Sequence, residues 1–194
     1  MELLRGESLR QRLDRGPLRA AERPLLIQVA EAMAAAHEKE IVHRDLTPNN
    51  IMLVAGAAGQ LPSIKVLDFG LAKVSEELRS RGGVRPRTSG LLGTVEYTAP
   101  EQWEDASQVN DRADVYALGV ILYEALSGQR PFSGTLLELM RKHTLELPPP
   151  LRGAEIPPEL ASLCLGMMSK RAQERPSMRE VAERLRPRVV APPL

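Results

Sequence analysis

A polar segment between two apolar runs contains the residues of this 194-residue chain that are best suited to chemistry. The segment reads IVHRDLTPNNIMLV and places Asp45 and Asn50 five positions apart. Pro48 disfavours a regular helix and pushes Thr47 toward extended backbone, so a loop between a helix and a short strand is predicted. A second acidic residue, Asp68, closes the apolar run IKVL. Two oxygen ligands, Asn50 and Asp68, with Asp45 as a free carboxylate, are what magnesium-assisted phosphoryl transfer requires.

Three motifs follow one another along the chain: HRD at 43–45 with Asn50, DFG at 68–70, and GTVEYTAPE at 93–101. They resemble the catalytic loop, the magnesium-binding motif and the end of the activation loop of protein kinases. Any one motif could arise by chance, but three in order at family-like spacing argue against an unrelated domain. The chain is identified as a member of the bacterial, eukaryotic-like Ser/Thr protein kinases. The resemblance implies an α+β protein-kinase-like fold, with a mainly helical large lobe and short β-hairpins.

The resemblance gives the polar residues of this segment specific roles. Asp45 would accept or orient the proton of a Ser or Thr hydroxyl on a protein substrate. Asn50 and Asp68 would hold Mg²⁺. Arg44 would pair with a phosphate on the activation loop, and a structural salt bridge is the alternative. Most Ser/Thr kinases carry Lys where this chain has Thr47, so part of the electrostatic help at the γ-phosphate is lost, although some bacterial relatives resemble this variant.

Nucleotide contacts are implied mainly at the start of the chain. Residues 1–9 resemble the hinge that grips adenine, with Met1 at the gatekeeper position. The backbone of Glu2 and Leu4 would hydrogen-bond to the adenine edge, and a frayed terminus is the alternative interpretation. Met52 matches the residue that floors the adenine pocket. ATP and Mg²⁺ are therefore the implied cofactors.

Regulation is predicted in the segment between the second and third motifs. Its Gly, Ser and Arg content is typical of a mobile loop. Thr88, Ser89 and Thr94 are candidate phosphorylation sites, with an ordinary solvated loop as the alternative for each. By resemblance, Thr94 would also contact the catalytic Asp45 and favour Ser/Thr substrates.

Five residues are assigned structural roles by the resemblance. His43 and Phe69 would stack in the interior, and Glu101 would pair with Arg175. Asp114 would tie its helix to the backbone of the catalytic loop. A buried carboxylate is costly without partners, so a set of backbone amide donors is expected around Asp114.

Helical patterns frame these motifs. Pro24 suits the first turn of a helix whose apolar stripe packs in the core, and His37 near its end is expected at the surface or in a cap. Residues 111–128 predict a buried helix that ends at a glycine. Residues 136–143 predict an amphipathic helix facing solvent through its Arg, Lys and His143.

Composition narrows the class of protein. The net charge of +1 gives no reason to expect nucleic acid as a partner. Cys164 is the only cysteine, so no internal disulfide forms and a reducing cytoplasm fits. The longest apolar stretch, Ala117 to Leu126, is short and contains Glu124, so no membrane segment is predicted.

Elements that cover the phosphates in kinases have no match in the sequence. There is no G-x-G-x-x-G loop, no strand Lys to hold the phosphates and no helix Glu to pair with it. We expect residues 1–186 to form a truncated kinase domain with the small lobe absent, and residues 187–194 to be a tail or linker. Weak or no activity is expected of this polypeptide. An apolar surface exposed near the hinge would favour poor solubility or a homodimer.

Two other functions compete with protein phosphorylation. The chain could be a pseudokinase-like binding module without catalysis, which Thr47 and the absent small lobe favour. Retention of Asp45, Asn50 and Asp68 argues against that alternative. It could also be a small-molecule phosphotransferase of kinase-like fold, but such enzymes usually lack the GTVEYTAPE segment.

Overall fold

A small antiparallel sheet is assembled from strands that lie far apart in the sequence. The computed structural model describes residues 6–56, 60–69, 95–104, 109–151 and 156–186. Within them, β1 (Gly6–Ser8), β2 (Ile51–Val54) and β3 (Ser63–Val66) pair in the order β1-β2-β3. A Cβ on Gly6 would lie 2.1 Å from the carbonyl oxygen of Leu53, so the β1–β2 pairing requires glycine there. β2 and β3 pair antiparallel, which agrees with the short β-hairpins expected from the resemblance.

Helices make up most of the remaining regular structure. They are α1 (Leu9–Leu13), α2 (Pro24–His37), α3 (Pro100–Glu104), α4 (Arg112–Ser127), α5 (Leu136–Leu145), α6 (Pro158–Met167) and α7 (Met178–Leu185). Short 3-10 turns cover Ala20–Glu22, Pro48–Asn50, Val95–Tyr97 and Ala172–Glu174. This mixture of helices and a small sheet fits the kinase-like fold that the motifs predict.

Helix α4 is the centre of the core. Every residue from Ala113 to Leu126 is buried, and the helix ends at Gly128, whose φ of 75° is the left-handed conformation that glycine adopts readily. The predicted buried helix over 111–128 is therefore confirmed. A Cβ on Gly119 would lie 2.9 Å from Cβ of Met167, so the absence of a side chain lets α4 and α6 approach closely. Since α4 is enclosed on all sides, its polar residues must find partners inside the protein.

Sequence signals at helix starts are met by the expected contacts. Pro24 occupies the first turn of α2. The S-x-x-E spacing of Ser177 and Glu180 predicts a capping box on α7, and both reciprocal hydrogen bonds are present. Such caps depend only on neighbouring residues, which is why the sequence predicts them.

His143 corrects the prediction of a solvent-facing end for α5. The side chain is fully buried, and Nδ1 lies 2.9 Å from the hydroxyl of Tyr116 on α4. The ring also packs edge-on against Phe132, with centroids 5.0 Å apart. Lys170 reaches the same place and donates to the carbonyl oxygen of His143 at 2.7 Å. The periodicity of α5 is amphipathic as predicted, but the histidine lies on the packed face.

Burial and the nearby ammonium of Lys170 lower the pKa of His143 from 6.5 to about 3. Because the folded pKa is below the unfolded value, only the unfolded state binds this proton between those values. The contribution of neutral His143 to the free energy of unfolding is therefore fully present above pH 6.5. It falls as the pH is lowered toward 3. We expect His143→Gln to remove about 2–3 kcal/mol of the stability difference between pH 7 and pH 4.5.

Urea denaturation of the wild-type chain and the variant at both pH values measures this difference. Carboxylates titrate in both proteins, so the difference between the two pH dependences isolates the histidine. An identical pH dependence in the two proteins would show that His143 is not responsible.

None of the helices in the described part of the chain combines the length and the apolar character needed to cross a membrane. Several large apolar side chains of the described residues are nonetheless exposed on α5 and just after it: Leu136, Leu137, Met140, Leu145 and Leu147. The predicted tail at 187–194 lies outside the described residues.

Candidate active site

Thr47 and Pro48 shape the segment between α2 and β2 as the local sequence predicts. Thr47 has φ −137° and ψ 163°, the extended backbone expected before proline. Pro48–Asn50 then form a single 3-10 turn rather than irregular loop, with the amide of Asn50 donating to the carbonyl of Thr47 at 3.0 Å. The turn brings Asn50 back over the residues that precede Pro48.

Asp114 on α4 binds the backbone at the start of this segment through hydrogen bonds. Its carboxylate is 1% exposed; Oδ1 accepts from the amide of Arg44 and Oδ2 from the amide of His43, each at 2.8 Å. Amide donors were the partners expected for this buried carboxylate. Arg44 has a φ of 65°, which is costly for a residue with a side chain and persists only where surrounding contacts enforce it.

His37 corrects a second prediction from the sequence. It is not a surface residue: its side chain is 8% exposed, and Nε2 lies 2.8 Å from Oδ2 of Asp114. The two residues are 77 positions apart in the chain. The end of α2 is thereby joined to α4 under the segment that carries Asp45.

His43 connects the segment to the end of β3. Its Nδ1 accepts from the amide of Asp45 at 3.3 Å, so Nε2 carries the proton and donates to the carbonyl of Leu67 at 2.8 Å. The ring contacts Phe69 with centroids 5.0 Å apart, but at 58° the rings are tilted rather than stacked. Phe69 is 38% exposed, so it is less enclosed than the predicted interior position.

Asp45 lies in a setting that suits a proton acceptor. Asn50 donates from Nδ2 to its backbone carbonyl at 2.8 Å, while Oδ1 of the carboxylate is buried and has no hydrogen-bond partner among the described residues. Burial raises the pKa of Asp45, and the nearby charge of Asp68 acts in the same direction, partly opposed by His43 and Asn50. A buried acceptor left unpaired in the protein is positioned for a ligand donor.

Asp68 is brought to this place by its neighbour Leu67. The amide of Leu67 donates to the carbonyl of Asn50 at 2.8 Å, and its own carbonyl accepts from His43. Asp68 follows with a φ of 62°, a second unfavourable backbone conformation at the site. Asn50, Leu67, His43 and Asp45 are therefore linked by hydrogen bonds, and this unit holds Asp68 near Asp45.

The donor set suits magnesium better than a metal that needs a complete protein cage. Among the described residues, no three His, Cys, Asp or Glu side chains form a metal-binding group. Mg²⁺ is usually held by one or two protein oxygens together with water and substrate phosphates. The hydrogen bond from Nδ2 leaves the side-chain oxygen of Asn50 available to a metal ion, and the carboxylate of Asp68 would supply a second oxygen ligand.

Two further predicted site residues lie close to this unit. Thr47 is buried, so its hydroxyl is enclosed by the protein. Most Ser/Thr kinases place the longer, positively charged side chain of lysine at this position. Met52 on β2 is half-buried on the sheet face opposite that of the buried Ile51 and Leu53.

The predicted pair of Glu101 and Arg175 is in contact. Arg175 donates from Nη1 and Nη2 to the two carboxylate oxygens of Glu101 at 2.7 and 2.8 Å. The guanidinium is fully buried and lies 4.9 Å from the ring centre of Tyr116. The two hydrogen bonds fix α3 relative to the start of α7.

A polar cleft of about 270 Å³ beside Pro48 and Asn49 was not predicted from the sequence. On one wall, Arg10 from α1 donates to Glu124 at 2.8 Å, and the hydroxyl of Tyr97 donates to the other oxygen of Glu124 at 2.7 Å. Burial and the adjacent carboxylate raise the pKa of Tyr97, so it remains a donor. Glu124 is thus buried in this cleft, and Arg10 and Tyr97 donate hydrogen bonds to its carboxylate. From the sequence alone it is recognisable only as a charged residue in an apolar helix.

The remaining predicted site residues lie outside the described residues. They are Met1, Glu2, Leu4, Thr88, Ser89 and Thr94.

Comparison with known proteins agrees with this geometry. The profile of the protein kinase domain family matches residues 1–185, so the chain belongs to the protein kinase family. It is 38% identical over 194 residues to serine/threonine-protein kinase pkn2 of Myxococcus xanthus, covering 95% of this chain. It is 37% identical over 193 residues to serine/threonine-protein kinase PkaB of Streptomyces coelicolor, covering 96% of this chain. These matches confirm a kinase of the bacterial Ser/Thr type.

The chain spans only part of the length of these relatives. The matched region is 22% of the pkn2 sequence and 44% of the PkaB sequence. Over 169 residues the chain is also 40% identical to serine/threonine-protein kinase PknA of Mycobacterium tuberculosis, of which it covers 36%. Membership of the family is therefore established for this region, and the activity of a whole protein is a separate question.

Proposed function

We propose that this protein is a Ser/Thr protein kinase that transfers the γ-phosphate of ATP to a Ser or Thr hydroxyl of a protein substrate. The observation that carries the proposal is the buried Oδ1 of Asp45, which has no hydrogen-bond partner among the described residues and lies near Asn50 and Asp68. Such a carboxylate is suited to receive or orient a hydroxyl proton. The family match supports the same reaction.

Each residue of the unit has a distinct task in the proposal. Asp45 orients the substrate hydroxyl and receives its proton, and the raised pKa of its carboxyl favours that transfer. Asn50 and Asp68 would hold Mg²⁺, which neutralises charge on the phosphates when bound. His43 holds Asp45 beside the end of β3, because Nδ1 accepts from the amide of Asp45 and Nε2 donates to the carbonyl of Leu67.

We further propose that the backbone of Glu2 and Leu4, with Met1 and Met52 beside them, binds the adenine of ATP. The half-buried position of Met52, on the face of β2 opposite that of Ile51 and Leu53, supports this assignment. For regulation, we propose that Thr88, Ser89 or Thr94 is phosphorylated and that Arg44 pairs with the phosphate. Tandem mass spectrometry of peptides from a small-lobe fusion of this chain, after incubation with ATP, would show which of the three residues carries the phosphate.

The 194 residues are proposed to supply the large lobe of a kinase and to have little turnover as this polypeptide alone. The sequence contains no G-x-G-x-x-G loop to cover the phosphates, and positioning supplies most of the catalysis in phosphoryl transfer. Self-association through exposed apolar side chains is part of the proposal, and sedimentation velocity would detect it. We place the protein in the cytoplasm because its single cysteine, Cys164, is buried and free.

Transfer of ³²P from ATP tests the proposed reaction. We expect little or no autophosphorylation by the chain alone, and robust turnover would contradict the proposal of a weakly active lobe. In a fusion that supplies an upstream kinase small lobe, Asp45→Asn is expected to lower turnover by roughly 10²–10⁴. Glu31→Gln, which removes an exposed carboxylate on α2, is the matched control and should retain wild-type turnover. An unchanged rate in the Asp45 variant would reject the assigned base.

The alternative of a non-catalytic binding module is favoured by Thr47, a buried neutral residue where charge is usually supplied. The fusion distinguishes the two functions, since a binding module would show no turnover even with a small lobe. A small-molecule phosphotransferase is less well supported, because the relatives are protein kinases and the GTVEYTAPE segment is present.

A further inference from the structure

Gln102 in the first turn of α3 joins two parts of the active site through the two ends of its amide. Oε1 accepts from the backbone amide of Ala99 at 2.9 Å, which is a helix-capping contact. Nε2 donates to the backbone carbonyl of Arg44 at 2.8 Å, across 58 positions of sequence. The second contact is not needed to start a helix, so it points to a separate role.

The carbonyl that Gln102 holds belongs to the peptide group that precedes Asp45. In that planar trans group the carbonyl of Arg44 and the amide of Asp45 point in opposite directions. Gln102 holds the first, and Nδ1 of His43 accepts from the second at 3.3 Å. Two hydrogen bonds on opposite sides fix the rotation of the peptide plane, and with it the position of the Asp45 side chain.

This peptide follows a strained residue, so it depends on such support. Arg44 has a φ of 65°, and Asp114 holds its amide but not its carbonyl. A residue in this conformation returns to a more favourable one when its contacts are weakened. Gln102 supplies the contact on the carbonyl side.

The packing around the segment also leaves room for movement. A cavity of about 40 Å³ lies between the segment and the helices below it, and Arg44, Asp45, Leu46, Thr98 and Gln102 are among the residues that line it. A space of this size accommodates a rotated peptide group or a water molecule. Close packing alone therefore does not keep Asp45 in place.

We propose that Gln102 is a positioning residue that sets the orientation of Asp45 by holding the Arg44–Asp45 peptide plane. Its consequence for phosphoryl transfer rests on the proposed function, whereas the positioning itself does not. The residue lies next to Glu101 of the third motif, so it links the segment that would face the protein substrate to the proposed base.

Gln102→Glu and Gln102→Met form a matched pair that separates positioning from capping. Glutamate still accepts from Ala99, because a carboxylate is favoured in a first helical turn, but it cannot donate to the carbonyl of Arg44. Methionine loses both contacts at similar size. Amide hydrogen exchange, followed by NMR at pH 7, reports the two contacts separately.

We expect the exchange of the Asp45 amide to accelerate roughly 5- to 10-fold in both variants, as for the loss of one hydrogen bond. The Ala99 amide should stay protected in Gln102→Glu and lose protection in Gln102→Met. If Gln102→Glu leaves the Asp45 amide at the wild-type rate, the residue is only a helix cap and the proposal is overturned.

A measurement on the wild-type chain keeps the test decisive even where the variants fold poorly. The Nε2 protons of Gln102 should exchange with water more slowly than those of the exposed Gln173. Equal rates would contradict the hydrogen bond to Arg44. None of these readouts needs turnover. If the fusion with a small lobe fails to transfer phosphate, that result contradicts the proposed function and not the positioning role.

Discussion

Replacing Asp114 with alanine is expected to lower the free energy of unfolding by roughly 4–6 kcal/mol. The buried carboxylate accepts from the amides of His43 and Arg44 and from the ring of His37, all at 2.8 Å. Removal of the acceptor leaves three buried donors without a partner, and each donor then bears its full desolvation cost. The unfavourable φ of Arg44 also loses its support.

Urea denaturation at pH 7 measures the loss. Asp111→Ala is the matched control, since Asp111 lies one turn earlier, is 38% exposed and makes no side-chain capping bond to α4. We expect that control to cost less than about 1 kcal/mol. Comparable losses in the two variants would show that the hydrogen bonds to the segment that carries Asp45 contribute little to stability.

Replacing Arg175 with alanine is expected to have an effect of similar size, roughly 4–5 kcal/mol. The guanidinium is fully buried, donates to both oxygens of Glu101 and also to the carbonyl of Ser169 at 2.8 Å and that of Arg112 at 2.9 Å. Without it, a partly buried carboxylate and several carbonyl groups are left unpaired. The ring of Tyr116 also loses its contact with the guanidinium.

Arg171→Ala provides the control on the same stretch of chain. Arg171 is 75% exposed and its ion pair with Glu174 is long, at 3.4 Å, so its removal should cost less than about 1 kcal/mol. Double substitution of Arg175 and Glu101 by apolar residues of similar size should recover part of the loss, because no charge is then left buried alone. If Arg175→Ala is no more destabilising than Arg171→Ala, the buried pair is not a structural link between α3 and α7.

The sequence was most informative where an outcome depends on nearby residues. Pro48 determines the extended backbone of Thr47, and the spacing of Ser177 and Glu180 determines a capping box. The apolar run before Gly128 determines a buried helix and its end. The motifs built on Asp45 and Asp68 indicate the kinase family, and the comparisons confirm it.

The partners of buried polar side chains could not be obtained in that way. Nothing near His37 in the sequence distinguishes a surface histidine from one that binds Asp114 from 77 positions away. The same holds for His143 against Tyr116, and for Arg10 against Glu124. Periodicity shows which face of a helix is apolar, but it does not show which polar groups meet when two faces pack.

Gln102 makes one contact that the local sequence predicts and one contact that depends on tertiary packing. Its contact with Ala99, three positions away, is local and follows from a common helix-start pattern. Its contact with Arg44 exists only because α3 packs beside the segment that carries Asp45. The sequence by itself determined the residue types and local backbone of this site, whereas tertiary packing decided their contacts, because a hydrogen bond requires two groups to meet within about 3 Å.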